Sequence, residues 1–227
     1  MAYRRTQAVV KRLAARRNAI LAAARETAAE AGMAAVQIAP VADRADVAAG
    51  TVYRYFPSKA ELISELIADV SGDQLDAVRR AADAAPGPLS ALAAAITTVA
   101  AYILSQRKLA WAILAEPIDV DVAPSRIESR RAIVAEIATR IEAAARGGHL
   151  PQQDAALTAA AIIGALHEAL VGPIAPRGLD EPIRMRDAVQ ALTLMALRAV
   201  GVMDARARGL VVQAGLPDAA VRAPASS

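Results

Sequence analysis

Residues 41–59, Val-Ala-Asp-Arg-Ala-Asp-Val-Ala-Ala-Gly-Thr-Val-Tyr-Arg-Tyr-Phe-Pro-Ser-Lys, constrain this chain more than any other stretch. They read as two short helices joined by a tight turn, with Tyr53, Arg54, Tyr55 and Lys59 gathered at the end of the second. Ring hydroxyls and cations on a slim helix are what a DNA-reading element needs. Ala48, Ala49 and Gly50 keep the tip narrow enough for backbone to approach base edges. Thr51 adds a hydroxyl and a methyl suited to a phosphate or a thymine. Val47 and Val52 are expected to turn inward onto Ile38 and Ala42, and Phe56 to close the small core beneath.

The rest of the chain reads as a string of helices. Apolar residues recur at Leu13, Ile20, Ala24 and Ala28, and Gly32 supplies a stop, which predicts a helix over residues 11–31 after a loose arm over residues 1–10. Ser58 is expected to cap a long helix running to about Ala84, and Pro86-Gly87-Pro88 is the plainest break. Further helices follow over residues 89–105, 109–115, from Pro124 to Gly147, 155–171 and 182–200. Their expected stripes are Ile127, Val134, Ile137 and Ile141 in one and Ala188, Leu192, Met195 and Ala199 in another. Beyond Asp204 a weak helical pattern fades into a Pro/Ala/Ser tail, expected to be disordered. No segment alternates with period two, and no Gly-rich phosphate loop or internal repeat is present, so the expected fold is all-α.

Composition narrows the function. Ala dominates and aromatic residues are only 3 % of the chain, which favours closely packed helices over sheets. The absence of Cys removes disulfides, thiolate ligands and a Cys nucleophile, and suits a reducing compartment. The two His residues, His149 and His167, lack ligand spacing, so no metal site is expected. No nucleophile–base pair or cofactor fingerprint appears, so neither an enzyme nor a cofactor is expected. Residues 155–171, taken as the longest apolar segment, are interrupted by Thr158, His167 and Glu168 and fall short of a membrane span, so a soluble cytoplasmic protein is expected. Charge is asymmetric: residues 1–59 hold ten Lys/Arg against four Asp/Glu, within a chain of net charge +3. A basic head on a mildly acidic body suits contact of one end with a polyanion, and Lys11, Arg12, Arg16 and Arg17 would add sequence-blind phosphate attraction.

The Gly-Thr-Val-Tyr-Arg-Tyr-Phe-Pro-Ser-Lys string, with the Ala-rich turn before it, resembles the DNA-binding signature of TetR-family transcriptional regulators over residues 36–62. The resemblance implies that Tyr53, Tyr55 and Lys59 contact phosphates or bases and that Thr51 lies near the bases. It places Arg54 at a variable position and leaves Gln37 as the one candidate contact at the start of the preceding helix. The implied DNA-binding set is thus Gln37, Ala48, Ala49, Thr51, Tyr53, Arg54, Tyr55 and Lys59. Two residues depart from the pattern. Asp46 replaces a turn Gly, and Ala48 replaces a capping Ser, forfeiting roughly 1 kcal/mol unless Asp46 substitutes for it.

The same resemblance implies three parts: a helix-turn-helix DNA-binding domain over residues 1–57, a larger helical effector-binding and dimerisation domain over 58–203, and a tail over 204–227. The segments Ala115-Glu-Pro-Ile-Asp119, Arg126 to Arg131, and Gly164 to Pro173 further resemble one subgroup of TetR C-terminal domains. Residues 155–171 are apolar nearly all round and must be covered on both sides, by the chain's own core and by a second subunit, or else wholly within one monomer. Ala159, Gly164 and Ala165 would permit close approach across a two-fold axis. Tyr102, Trp111, Ile163, His167, Met185 and Met195 are the candidate effector-pocket residues, although each taken singly reads more readily as core filler. The implied function is a repressor that binds a palindromic DNA operator as a homodimer and is released by a small, mainly apolar effector. The alternative is a helical DNA-binding protein without such an effector, controlled by a protein partner or organising the chromosome.

Overall fold

The structure is a computed structural model that describes residues 2–215, with side chains from Val9 onward. Ten α-helices and one 3-10 turn make up the described chain. The first four helices are α1 (Ala2–Ala31), α2 (Ile38–Arg44), α3 (Ala49–Tyr55) and α4 (Lys59–Asp83), with the 3-10 turn Met33–Ala35 after α1. They match the expected order, with one change at the start. In place of a loose arm over residues 1–10, the described backbone is helical from Ala2. The expected stripe also begins later, since Leu13 is exposed and Ile20 is the first fully buried residue of α1.

The local chemistry explains the joints. Asp46 sits at φ 52°, the left-handed conformation the α2–α3 turn requires and that Asp tolerates better than most residues. It does not replace the missing cap, because no side chain caps α3 at Ala48. Ser58 caps α4 as expected, its Oγ accepting the Glu61 N–H at 3.1 Å. Ile20, Ala24 and Ala28 of α1 meet Val41, Ala42, Val52 and Phe56 in one cluster, which Leu62, Ile63, Leu66 and Ile67 of α4 and Leu109, Ala112, Ile113 and Val122 further along the chain extend.

The remaining helices are α5 (Pro88–Ser105), α6 (Arg107–Leu114), α7 (Ala123–Arg146), α8 (Ala155–Val171), α9 (Pro182–Ala199) and α10 (Asp204–Ala214). Helix α5 is their hub, packed against α4, α7, α8, α9 and α10. It is long and apolar enough to cross a membrane by length and composition, which corrects the reading of residues 155–171 as the chain's longest apolar segment. Most of that apolar surface is buried inside this protein.

Among the Ala-rich helices the expected stripe of α7 held at Ile137 and Ile141, while that of α9 was displaced. On α7 the buried row is Ile133, Ile137, Ile141 and Ala144, while Ile127 is exposed. On α9 it is Val189, Thr193, Ala196 and Leu197, with Thr193 and Thr97 sharing a buried hydrogen bond of 3.2 Å. Residues 204–214, expected at most as a weak helix, form α10, which buries Ala207 and Val211 against the core; residues 216–227 of the expected tail lie outside the described residues.

Helix α4 spans two cores. Its first half closes the cluster of α1–α3, while Val78 and Ala82 belong to the cluster around α5. A polar staple fixes its second half to α7. Buried Glu136 accepts from Arg79 at 3.1 Å and from Arg140 at 2.7 Å, and Arg140 also pairs with Asp83 at 2.9 Å.

Candidate nucleic-acid interface and effector cavity

Helix α3 turns Val52 fully inward and leaves Ala48, Ala49, Gly50, Tyr53 and Arg54 exposed on one side. A Cβ added to Gly50 would meet nothing within 4 Å, so no internal contact requires glycine there. Its smallness serves whatever approaches from outside. Tyr53 keeps about half its surface, 52 %, open. Thr51 and Tyr55 are half-buried, and the Arg54 guanidinium lies 5.7 Å from the Tyr55 ring centre. Gln37 is exposed at the start of α2 but donates its amide to the Ala34 carbonyl at 2.9 Å.

The cations divide into two groups. Lys11, Arg12 and Arg16 are exposed along α1. Arg17, expected among them, instead pairs with Glu65 and stacks 5.3 Å from the Phe56 ring, pinning α1 to α4. Arg44 is likewise held by Glu30, a pairing that pushes the Glu30 carboxyl below its ordinary range. Lys59 is not free either. Its Nζ lies 3.7 Å from Oδ2 of Asp119, in the segment between α6 and α7.

That segment clamps the head to the body. Glu116 Oε2 accepts the Met33 N–H at 2.7 Å. Gly32 just before it adopts φ 84°, a backbone angle that selects glycine, and a Cβ there would lie 2.6 Å from Glu116 Oε1 and displace the carboxylate. Arg126 of α7 donates to the Glu116 carbonyl at 2.8 Å and secures the clamp from the other side. Burial, then the neighbouring Arg130, push the Arg126 guanidinium below its ordinary pKa.

The six candidate effector residues do not converge. Trp111 and His167 line one cavity of about 300 Å³ between α6, α7 and α8. Tyr102 lies elsewhere, beside a space of only about 30 Å³ between α4, α5 and α6, and its hydroxyl donates to the Val70 carbonyl at 3.3 Å. Ile163 is fully buried core, Met185 packs against the edge of that core, and Met195 is exposed on α9. Residue type alone did not separate cavity walls from filler.

Sequence reasoning missed Arg130, Glu168, Gly172 and Pro173 as walls of the larger cavity. The signal was present in segments rather than in residues. Ala115, Arg130 and the stretch from Gly164 to Pro173, drawn from the three body segments singled out above, come together there. Trp111 and Val171 also line a second cavity, of about 390 Å³, against the end of α1 with Gly32 and Glu116. The indole therefore stands between a space facing the head and a space facing the body. His167 is held neutral, its pKa lowered to about 4 by burial and then by Arg130.

The α1–α3 head presents an exposed, slim, basic-aromatic helix on an all-helical body, the layout of a helix-turn-helix. Residues 20–66, which form the head and the start of α4, match the family described as bacterial regulatory proteins, tetR family. The chain is 58 % identical over 48 residues to the HTH-type transcriptional repressor KstR of Mycobacterium tuberculosis, covering 21 % of this chain and 22 % of that protein. To KstR of Rhodococcus jostii it is 53 % identical over 53 residues, 23 % of this chain and 25 % of that one. The match thus spans about a quarter or less of the curated relatives' length.

The fold extends much further. The structure of RolR in complex with resorcinol covers 92 % of this chain and 98 % of its own, with a TM-score of 0.66 at 20 % identity. The fatty acid degradation regulator FadR of Bacillus halodurans covers 83 % of this chain and 97 % of its own, with a TM-score of 0.70 at 20 % identity.

Proposed function

We propose that this protein is a transcriptional repressor that binds a palindromic operator as a homodimer and releases it when a small molecule enters the body. The observation that carries the reading is the outward face of α3, where Gly50 has no internal reason to be glycine and Tyr53 stands open beside it. A major groove admits a helix of that profile, and Tyr53, Arg54, Tyr55 and Lys59 ring it with donors for phosphates and base edges. Thr51, Ala48 and Ala49 meet the bases, and Gln37 meets the flanking backbone. The repressor role is the one carried by the KstR relatives that share this head.

A palindrome needs two heads. The outward side of α8 is apolar and uncovered within one chain, and α9 exposes Ile183 and Met195 among its charged residues: Leu157 is 69 % exposed and Ile183 66 %, while Ala160 and Ala161 are exposed without bulk. Two copies meeting there would build a four-helix interface. Gly164 and Ala165 remain at this surface, whereas Ala159, expected beside them, is fully buried in the chain's own core.

The units are a DNA-binding head to about residue 57 and an effector and dimer body from residue 58; the body shares the head's core through Leu62 to Val70 of α4 and through Leu109, Ala112 and Ile113 of α6. The effector space is the cavity beside Trp111 and His167, and RolR, of the same fold, binds resorcinol. A ligand that pushes α6 would act on Glu116 and Asp119, and so on head position. Moving the two heads out of register needs a differential affinity of several kcal/mol between body shapes. The small space of about 30 Å³ beneath Tyr102 favours the second reading, a DNA-binding protein without an effector.

Selection of bound DNA from a random pool tests the main reading. A palindrome is expected, and Tyr53→Ala and Lys59→Ala should each weaken binding at unchanged melting temperature. Recovery of no preferred sequence would reject it. Dissociation of the complex by a small molecule separates the two readings.

A further inference from the structure

The cavity between α6, α7 and α8 has an unbalanced chemistry. Its apolar wall comes from Leu114 and Val171, and Trp111, 39 % exposed, offers an indole ring to a planar partner. Its polar wall is rich in donors. Among the described residues Arg130 makes no ion pair and no hydrogen bond, although a guanidinium presents five N–H groups in a fork that fits a carboxylate. Arg126 stands close enough to feel its charge and has a buried Nε without a partner.

His167 adds a neutral donor. Its Nδ1 is sealed from solvent with no hydrogen-bond partner, so the ring meets the cavity by its other edge. A neutral imidazole keeps its proton where an acceptor can reach it, which places the hydrogen on Nε2. Burial keeps the ring neutral, so it donates without adding charge. One acid, Glu168, lines the same space, but its carboxyl is folded back against Gly172, with Cδ 2.4 Å from where a Cβ would stand.

We infer that this cavity takes a small planar anion, an aryl carboxylate being the simplest case, with its ring on Trp111 and its carboxylate shared between Arg130 and His167 Nε2–H. The inference rests on the effector reading above and gives that effector its chemistry: an apolar ring carrying one negative acceptor group.

Trp111 is the chain's only tryptophan, so intrinsic fluorescence reports on the site without a label. The full-length protein, free of DNA, is titrated with benzoate and 1-naphthoate and with the uncharged benzamide and 1-naphthamide. At least one carboxylate should give a saturable change and bind tenfold or more tighter than its amide. Arg130→Gln should bring that ratio to within threefold, and Arg130→Lys, which keeps the charge but not the fork, should retain an intermediate ratio. Both variants change an exposed side chain, and circular dichroism checks that they fold. Equal binding of acid and amide, a ratio unmoved in Arg130→Gln, or no saturable signal from any of the four compounds would overturn the inference. No DNA takes part, so an unresponsive cavity and a head that fails to select an operator are separate results.

Discussion

The head and the body of this protein are built from different side chains, and the difference governs how each is held and how each was read. In the head a few large residues, Ile20, Phe56, Leu62 and Leu66, close around small ones, and each has one inward direction. In the body α5 alone buries Ala91, Ala93, Ala95, Ala100 and Ala101 beside its larger residues. Alanine-rich helices approach closely and gain little from any single side chain. Where side chains are small, polar pairs take a larger share of fixing which helix faces which.

Loss of Glu136 tests that contrast most severely. Glu136→Ala removes the acceptor shared by Arg79 and Arg140 on a buried part of the α4–α7 contact. The cost should be about 3 kcal/mol, the lower end for breaking a buried pair, because Arg140 keeps Asp83 and Arg79 reaches solvent. Chemical denaturation reads it. A loss below about 1 kcal/mol would mean that alanine packing alone fixes α4 on α7.

A second polar feature of the body gives it a pH response. His167 is neutral in the folded protein down to about pH 4, against 6.5 for an open ring. The unfolded chain therefore binds the proton first as pH falls. Stability from this residue is whole above about pH 6.5 and declines between there and pH 4, by up to about 3 kcal/mol. Carboxylates titrate in the same range, so the measured quantity is the difference from His167→Gln, which should shrink across that window. A difference independent of pH would place the ring in water.

The two regions were unequally legible in the sequence. Helix order and most helix limits followed from Gly, Pro and cap residues in both, as Ser58 and Pro88 illustrate. Facing was a separate matter. In α3 the inward Val52 and outward Tyr53 followed from a motif whose residue types are dictated by an outside partner. In α7 and α9 alanine occupies both faces, so the phase held only in part: Ile137 and Ile141 fell inward as expected, while Ile127 and Met195 fell on the wrong side. The cavity was harder still. Trp111 and His167 are distinctive residues, but Arg130 reaches them only through packing of α7 on α8, which no local pattern encodes. Arg17 and Lys59 show the same limit, since cations near a DNA-reading helix look alike until their carboxylate partners are placed.

Gly50→Leu should separate the regions cleanly. Its side chain would point into open space, so stability should stay level or rise by roughly 0.5–1 kcal/mol as a helical glycine is lost. DNA affinity should fall about a hundredfold, roughly 2.7 kcal/mol, because the bulk stands where backbone must approach a base edge. Unchanged DNA binding would move the reading face off α3.

The smallest expected effect lies where the two regions touch. Asp119 of the body holds Lys59 of the head at 3.7 Å, with both side chains partly in solvent. Such a pair contributes about 0–1 kcal/mol to stability, so Asp119→Asn should leave the melting temperature nearly unchanged. Its consequence is competition, since the carboxylate occupies a cation that a phosphate also seeks. Releasing Lys59 should strengthen DNA binding about two- to fivefold at low salt, and the gain should fade as salt screens the phosphate contact. In a Lys59→Ala background the same substitution should do nothing. A gain that survives the loss of Lys59 would show that Asp119 acts on DNA directly, through long-range repulsion, and not by holding the head's lysine.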